Sequence, residues 1–301
     1  MPEPPYKVVE IQPEWVLEPE ALGSKEKFWY RANDNKPEWL FKFPQENTGQ
    51  HWAEKIAAEV AASLGIIHAQ VELAVFQLAR GSTTESFARR GRSLSHGNQI
   101  LAGQVLGYDP MKAFRQSDHT LTNIFAAIDS AFVARWSAHK AKAMVADYIV
   151  FDALIGNTDR HHENWGILIK QVGDQWEGIL APTFDHASSL GRELVDTAEG
   201  TCRERFLREK RMGAYSEKAH GAIFWDKSDV RGLSPLELAR RAAALHPELF
   251  EPALTRLERL EQQGIQAIID RVPDDWMSPL ARQFAVELMC YNHKELRKIL
   301  L

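Results

Sequence analysis

Apolar and polar positions along the chain fall into patterns of two different periods. From residue 51 to 64 the apolar residues Trp52, Ile56, Val60 and Leu64 recur every four positions with alanines between them, and Gly65 follows as a stop, which predicts an amphipathic helix. On either side the runs are short and strand-like. Residues 25–31 and 39–43 are aromatic-rich and separated by Asn33, Asp34, Asn35 and Pro37, as in a hairpin. Residues 71–78 read as another strand, and Gly81-Ser82-Thr83-Thr84 reads as a turn before a last short segment at 85–88. The predicted order is strand, strand, helix, strand, strand.

Beyond Arg90 the pattern changes. Residues 91–97 are Gly-, Ser- and His-rich and suit a connector, and helical periodicity follows at 123–138 and 141–154. Two short apolar pieces, 165–169 and 176–180, form a predicted hairpin that turns at Gly173-Asp174. After Ser234 the chain reads as helical, with stripes such as Leu254, Leu257, Leu260 and Ile265, Ile268, Ile269. This gives an α+β chain with a boundary near residue 90: a β-rich part with one helix at 1–90, and a mainly helical part at 91–301.

Composition narrows the functional classes. A chain of 301 residues with 45% hydrophobic side chains can bury a sizeable core, and 41 acidic against 36 basic residues leave a formal charge of −5. That balance supplies no broad positive field for DNA, RNA or an anionic membrane, so any bound anion must be held locally. Two cysteines, Cys202 and Cys290, are too few for a disulfide scaffold, and the first residues lack a basic region followed by an apolar core, so a reduced, cytoplasmic setting is expected. Asp147 and Asp152 interrupt the most apolar stretch, 143–155, so no membrane span is expected. The nine tryptophans are spread without interleaved basic runs, which makes most of them core residues rather than a base-stacking platform.

The candidate chemistry lies in a few polar clusters. Gly156-Asn157-Thr158-Asp159-Arg160-His161-His162-Glu163-Asn164 joins an apolar helix to an apolar strand and contains an Asp with an Asn five positions later. In a kinase catalytic loop that spacing lets the Asp orient a hydroxyl nucleophile while the Asn binds a metal; a solvated, capped turn would look the same in isolation. The adjacent His161-His162-Glu163 lacks the helical His-Glu-x-x-His spacing of zinc sites. Further on, Phe184-Asp185-His186 follows an apolar run; Asp185 is either the N-cap of a turn beginning at Ser188 and Ser189 or a hard oxygen ligand for a divalent cation that carries phosphates. Lys42 shares a strand face with Leu40, opposite Phe41 and Phe43, so it points either to solvent or into a cleft; Glu54 and Glu59 on the next helix are its possible partners. Gly23, Ser24, Lys25 and Lys27 precede the first strand and form a weak phosphate-loop signal.

Taken together these residues resemble the HipA-like serine/threonine kinases, bacterial proteins with a bilobal protein-kinase-like fold, several of them toxins of toxin–antitoxin systems. The likeness rests on residues 156–164, on Leu-Ala-Pro-Thr-Phe-Asp-His-Ala-Ser-Ser-Leu-Gly at 180–191, on Leu-Phe-Lys-Phe-Pro at 40–44 and on Gly-Ser-Lys-Glu-Lys at 23–27. It implies a small β-rich N-lobe and a larger helical C-lobe that jointly bind ATP and Mg2+. It also implies roles. Asp159 would be the catalytic Asp, His161 would support its loop and lie near the nucleotide, and Asn164 and Asp185 would hold magnesium. Lys42 would contact phosphates, with Ser24, Lys25 and Lys27 in the loop above them and Glu54, favoured over Glu59, as the helix carboxylate. The adenine would contact Ser86, Phe87 and Ala88.

Here His186-Ala187 stands where ordinary protein kinases have Phe-Gly. With Gly23 so near the start, the chain resembles a compact form without the family's extra N-terminal subdomain. Ser24, or less favourably Ser82, is a candidate for autophosphorylation. The implied partners are ATP, a protein substrate and an antitoxin protein, with no direct nucleic acid and no membrane. Two other readings stay open: a small-molecule phosphotransferase, because the fold does not fix the acceptor, and a non-catalytic nucleotide- or partner-binding module.

Overall fold

A computed structural model describes residues 3–19, 26–89, 91–112, 115–196 and 202–300. Its elements in chain order are strands β1 (Val8–Ile11), β2 (Val16–Pro19), β3 (Lys27–Tyr30) and β4 (Trp39–Lys42), helix α1 (Gln50–Leu64), strands β5 (Val71–Phe76), β6 (Ala79–Glu85) and β7 (Ser93–His96), and helices α2 (Gly97–Ala102), α3 (Leu121–Ala131) and α4 (Arg135–Ile155). Strands β8 (Gly166–Val172) and β9 (Gln175–Leu180) follow. Helices α5 (Cys202–Arg208), α6 (Met212–Glu217), α7 (Pro235–Leu245), α8 (Pro247–Thr255), α9 (Gln262–Asp270) and α10 (Pro279–Arg297) complete the chain.

The chain divides into two compact units. One comprises Met1–Phe87, Asp185–Met212 and Leu260–Cys290; the other comprises Ala88–Phe184, Gly213–Arg259 and Tyr291–Leu301.

The first unit is built on a six-stranded sheet of order β1-β5-β6-β4-β3-β2, antiparallel except for the parallel pair β1–β5. Phe28, Tyr30, Phe41 and Ala74 form a core on one of its faces with Ile11. The ring of Phe28 lies 5.2 Å from that of Phe41 and 4.7 Å from that of Phe76, inside the range in which aromatic pairs attract. Side chains alternate along β4, so burying Phe41 puts Leu40 and Lys42 on the other face. Helix α1 packs against β5 and β6 and stops at Gly65, whose φ of 70° supplies the left-handed cap expected there.

Two sequence expectations for this unit are corrected. Residues 81–84 are no turn: Gly81, Ser82, Thr83 and Thr84 lie inside β6, paired with β5 and β4. The glycine is needed for close approach, since a Cβ there would lie 2.5 Å from both the Lys42 carbonyl oxygen and the Phe41 ring. The chain instead reverses at Gln77-Leu78, both at positive φ (48° and 70°), a two-residue hairpin loop without the usual glycine or asparagine. The sequence reading also missed β1 and β2.

The second unit is arranged around the 21-residue α4, against which α3, α7 and α8 pack. Its sheet has the order β7-β8-β9, with the predicted hairpin closing at Gly173-Asp174, where Gly173 has φ 59°. The helices predicted at 123–138 and 141–154 instead run Leu121–Ala131 and Arg135–Ile155, and the connector at 91–97 contains β7, bonded to β8. Among the described residues no helix is long and apolar enough to cross a membrane.

Candidate active site

In the first unit three of the singled-out residues come together. The Lys42 ammonium lies 3.2 Å from a carboxylate oxygen of Asp185, with side-chain exposures of 13% and 28%, so Lys42 does not simply point to solvent. Burial alone would push the Lys42 pKa down; the charges of Asp185 and then Glu54 outweigh it and hold the ammonium above its ordinary value. Glu54 is fully buried in α1 and accepts the His186 backbone N–H at 3.0 Å, with the His186 ring nitrogen Nδ1 at 3.8 Å. Glu59 is committed elsewhere, to Lys55 at 2.6 Å. The two carboxylates between which the sequence left a choice are therefore separated by their partners.

Asp185 itself has φ 56°, the left-handed region that is costly for L-residues but best tolerated by Asn and Asp. It caps no helix: the following residues form a turn in which the Ser189 hydroxyl donates to the His186 carbonyl at 2.7 Å. Lys27 stands directly across from Lys42 in the β3–β4 register, and Ser82 flanks Lys42 on the β6 side. Lys27 and Lys42 therefore share one sheet face, where Asp185 is already the ion-pair partner of Lys42. Ser86, at the end of this unit, donates its N–H to the Glu38 carbonyl at 2.9 Å; the division between units falls between Phe87 and Ala88. Gly23, Ser24 and Lys25 lie outside the described residues.

In the second unit α4 ends at Gly156 (φ 68°) and hands the chain to the polar loop. Asn157 accepts the Asp159 N–H at 3.1 Å and donates to Asp152 at 2.8 Å; Asn164 donates through its side-chain amide to the Asp159 carbonyl at 2.7 Å. With its NH2 thus directed, the side-chain oxygen of Asn164 is left to act as an acceptor. The His161 N–H donates to the Asp159 carbonyl at 2.8 Å, and its Nδ1 accepts the Glu163 N–H at 3.2 Å.

The residue that fixes this loop is one that sequence reasoning missed. Arg160 is 5% exposed and makes a two-pronged ion pair with the buried Asp152, both contacts at 2.7 Å. Its remaining donors reach the Asn164 carbonyl at 2.7 Å, the Phe184 carbonyl at 3.3 Å and the Thr183 hydroxyl at 2.9 Å. One guanidinium therefore ties the end of α4, the Asp159 loop and the segment leading to Asp185. The available signal was Asp152 inside an apolar helix, since a buried carboxylate calls for a cationic partner.

Asp159 and Thr158 line a cavity of about 700 Å³ that belongs wholly to this unit, together with His161, His162, His119 and residues 220–222 and 230–232. His119 is fixed as one tautomer. The Trp165 indole can only donate, and does so to His119 Nε2 at 3.1 Å, leaving Nδ1–H for the Ala222 carbonyl at 2.9 Å. Burial pushes its pKa down to about 3, so the ring is neutral. His162 is likewise held below its ordinary value by burial; its Nδ1 meets the Tyr108 hydroxyl at 2.7 Å.

As chemistry, the first unit offers a half-buried ammonium beside carboxylates, and the second a carboxylate and an amide oxygen held by a buried hydrogen-bond network. These are oxygen donors and cations of the kind that handle phosphates, not soft metal ligands. Among the described residues no group of three or more His, Cys, Asp or Glu side chains is placed to hold a metal ion.

Comparison with known proteins shows the family and the fold. The family model described as the HipA-like C-terminal domain matches residues 20–252. The serine/threonine-protein kinase CtkA of Helicobacter pylori is 22% identical over 276 residues, covering 88% of this chain and 77% of CtkA. The crystal structure of that proinflammatory kinase matches the fold with a TM-score of 0.76 at 20% identity, covering 97% of this chain and 98% of the other. HipA of Shewanella oneidensis, solved with HipB and operator DNA, matches with a TM-score of 0.62 at 16% identity, covering 93% and 67% of the two chains. The fold is thus the α+β kinase-like fold of CtkA and HipA, and with most of its length matched by the family model, this chain belongs to the HipA-like C-terminal domain family.

Proposed function

We propose that the chain is an ATP-dependent kinase that phosphorylates serine or threonine in a protein. The observation that carries this reading is the Lys42–Asp185 pair set over the buried Glu54, because a lysine held charged between carboxylates is what phosphate positioning requires. In this reading Lys42 and Lys27 draw the phosphate oxygens, and Ser24 and Lys25 complete the phosphate loop with Gly23. Ser86, Phe87 and Ala88 contact the adenine. Asp185 and the Asn164 side-chain oxygen would hold magnesium. Both would offer hard oxygen donors, which suit that ion. Bound there, magnesium supplies charge neutralisation at the transferring phosphoryl group.

Asp159 receives the proton of the acceptor hydroxyl as that oxygen bonds to the γ-phosphorus and the bond from the γ-phosphorus to the β,γ-bridging oxygen breaks. The proton goes to the carboxylate and the electron pair leaves with ADP. Asn157 and Asn164 hold the loop in place while this happens, and His161 supports it through the Asp159 carbonyl.

The test is incubation of the purified chain with labelled ATP and Mg2+, with and without cell extract, beside Asp159→Ala and Asp185→Ala. Label on a protein band that both variants lose by a factor of about 10³ supports the reading. Transfer to small molecules alone would move it to the phosphotransferase class, and ATP binding without turnover to a binding module. Autophosphorylation at Ser24 is read in the same reactions by mass spectrometry.

A toxin role rests on the relation to HipA, whose solved complex includes HipB. It predicts that induced expression arrests growth, that Asp159→Ala abolishes the arrest, and that an antitoxin protein relieves it. ATP as donor makes the cytoplasm its place of action.

A further inference from the structure

The cavity beside Asp159 carries more than the catalytic loop. Its far wall is a narrow two-segment ribbon: the Gly221 N–H donates to the Leu233 carbonyl at 2.8 Å and the Leu233 N–H to the Ile223 carbonyl at 3.1 Å. The segments approach so closely that a Cβ on Gly232 would lie 2.0 Å from the Gly221 carbonyl oxygen, so only glycine fits. The ribbon is pinned from behind, where the Phe224 N–H donates to the His119 carbonyl at 3.0 Å and the His119 ring donates to the Ala222 carbonyl. This wall is built, not a chance fold of a loop.

Charge on the cavity is lopsided. Arg115 and Arg231 both line it and are exposed; Arg231 contacts only a ring nitrogen of His220, at 3.1 Å, and among the described residues neither guanidinium has a carboxylate partner. At the base His162 is 1% exposed, and its Nε2 is buried with no partner among the described residues. A buried ring nitrogen without a partner is costly unless an occupant supplies one. Among the described residues the only carboxylate lining the cavity is Asp159. In a chain of net charge −5, two such guanidiniums are a local reversal of sign.

We infer that this cavity is the acceptor-peptide subsite of the proposed kinase, and that it selects substrates carrying an acidic residue close to the phosphorylated serine or threonine. Resting on the kinase reading, it assigns Asp159 the hydroxyl, Arg115 and Arg231 the neighbouring carboxylate, and His162 Nε2 a polar group of the peptide. The acidic residue is a neighbour and not the acceptor itself, because a second carboxylate against Asp159 is repelled. A guanidinium fork suits a carboxylate in a way an ammonium does not.

The test uses serine peptides identical except for one Glu or Gln, moved through the three positions on either side of the serine. Wild type is expected to favour Glu over Gln at one or two positions by about tenfold in kcat/KM, less at high salt. Arg231→Gln and Arg115→Gln should each lower that ratio, and the double variant should bring it to unity. Arg231→Glu should shift the preference toward Lys, and Arg231→Lys should restore part of the ratio. Equal use of Glu and Gln peptides at every position by wild type overturns the inference, as does a preference that survives in the double variant. Should wild type transfer no phosphate to any acceptor, the kinase reading itself fails. The subsite is then judged by fluorescence anisotropy with a labelled Glu peptide in which alanine replaces the serine: weaker binding by the double variant upholds it, equal binding ends it.

Discussion

Arg160 shows how one side chain sets the position of others that do the chemistry. Both it and Asp152 are buried, and the pair is sustained by further bonds to two carbonyls and a hydroxyl. Removing one partner of such a pair strands the other charge in a dry site, whereas removing both costs far less. Arg160→Met is therefore expected to destabilise the protein by about 3–5 kcal/mol, and Arg160→Met with Asp152→Leu to recover much of that, read as urea midpoints. If the single variant unfolds at the wild-type midpoint, the pair does not hold the loop. Even in the stable double variant kinase turnover should stay low, because the carbonyls of Asn164 and Phe184 lose their donor. Asp159, Asn164, Asp185 and Lys42 were legible in the sequence because each sits at a fixed offset within a polar cluster or an alternating strand. Arg160 was not, since its role depends on three segments brought together by folding.

At the level of elements, the β5–β6 hairpin illustrates why the turn was misplaced. Gly81 looked like a turn residue but serves close approach in the middle of β6, while the real turn at Gln77-Leu78 has residues that resist its geometry. Two consequences follow in opposite directions. Gly81→Ala drives a methyl against the Lys42 carbonyl and the Phe41 ring and is expected to cost about 1–3 kcal/mol; it should also raise the KM for ATP, because it displaces the strand that carries Lys42. Gln77→Asn with Leu78→Gly relieves two left-handed L-residues and is expected to stabilise by about 1–2 kcal/mol. Leu78 is 96% exposed, so no packing is lost with it. Thermal melting of the two variants decides both, and a stabilised Gly81→Ala would mean that the strand has room that the geometry denies. The other elements were legible where periodicity was strong, as in α1 and the β8–β9 hairpin. β1, β2 and β7, four residues each, are too short to show a period; pairing with the distant β5 and β8 makes β1 and β7, and β2 forms against its neighbour β3.

Across the whole molecule, each unit encloses a histidine kept neutral by burial: His51, pushed down to about 4, in the first and His119, at about 3, in the second. Both fall below the ordinary value of 6.5, so between pH 6.5 and their folded values the unfolded chain binds a proton at each site that the native chain does not. Stability contributed by keeping them neutral is complete above pH 6.5 and is lost as pH falls through that window, at up to about 1.4 kcal/mol per pH unit for each histidine. From pH 7 to 5 that amounts to about 2 kcal/mol per site, and because His51 and His119 lie in different units, acid weakens both. His51 separates this effect from general acid denaturation: among the described residues its buried Nδ1 has no partner, so His51→Leu gives up one hydrogen bond, that of the ring with the Trp276 backbone. The variant should match wild type at pH 7 to within about 1 kcal/mol and lose about 2 kcal/mol less on going to pH 5. Urea midpoints at the two pH values measure the difference. Parallel losses in wild type and variant would show that His51 titrates normally, and would remove the burial argument for it.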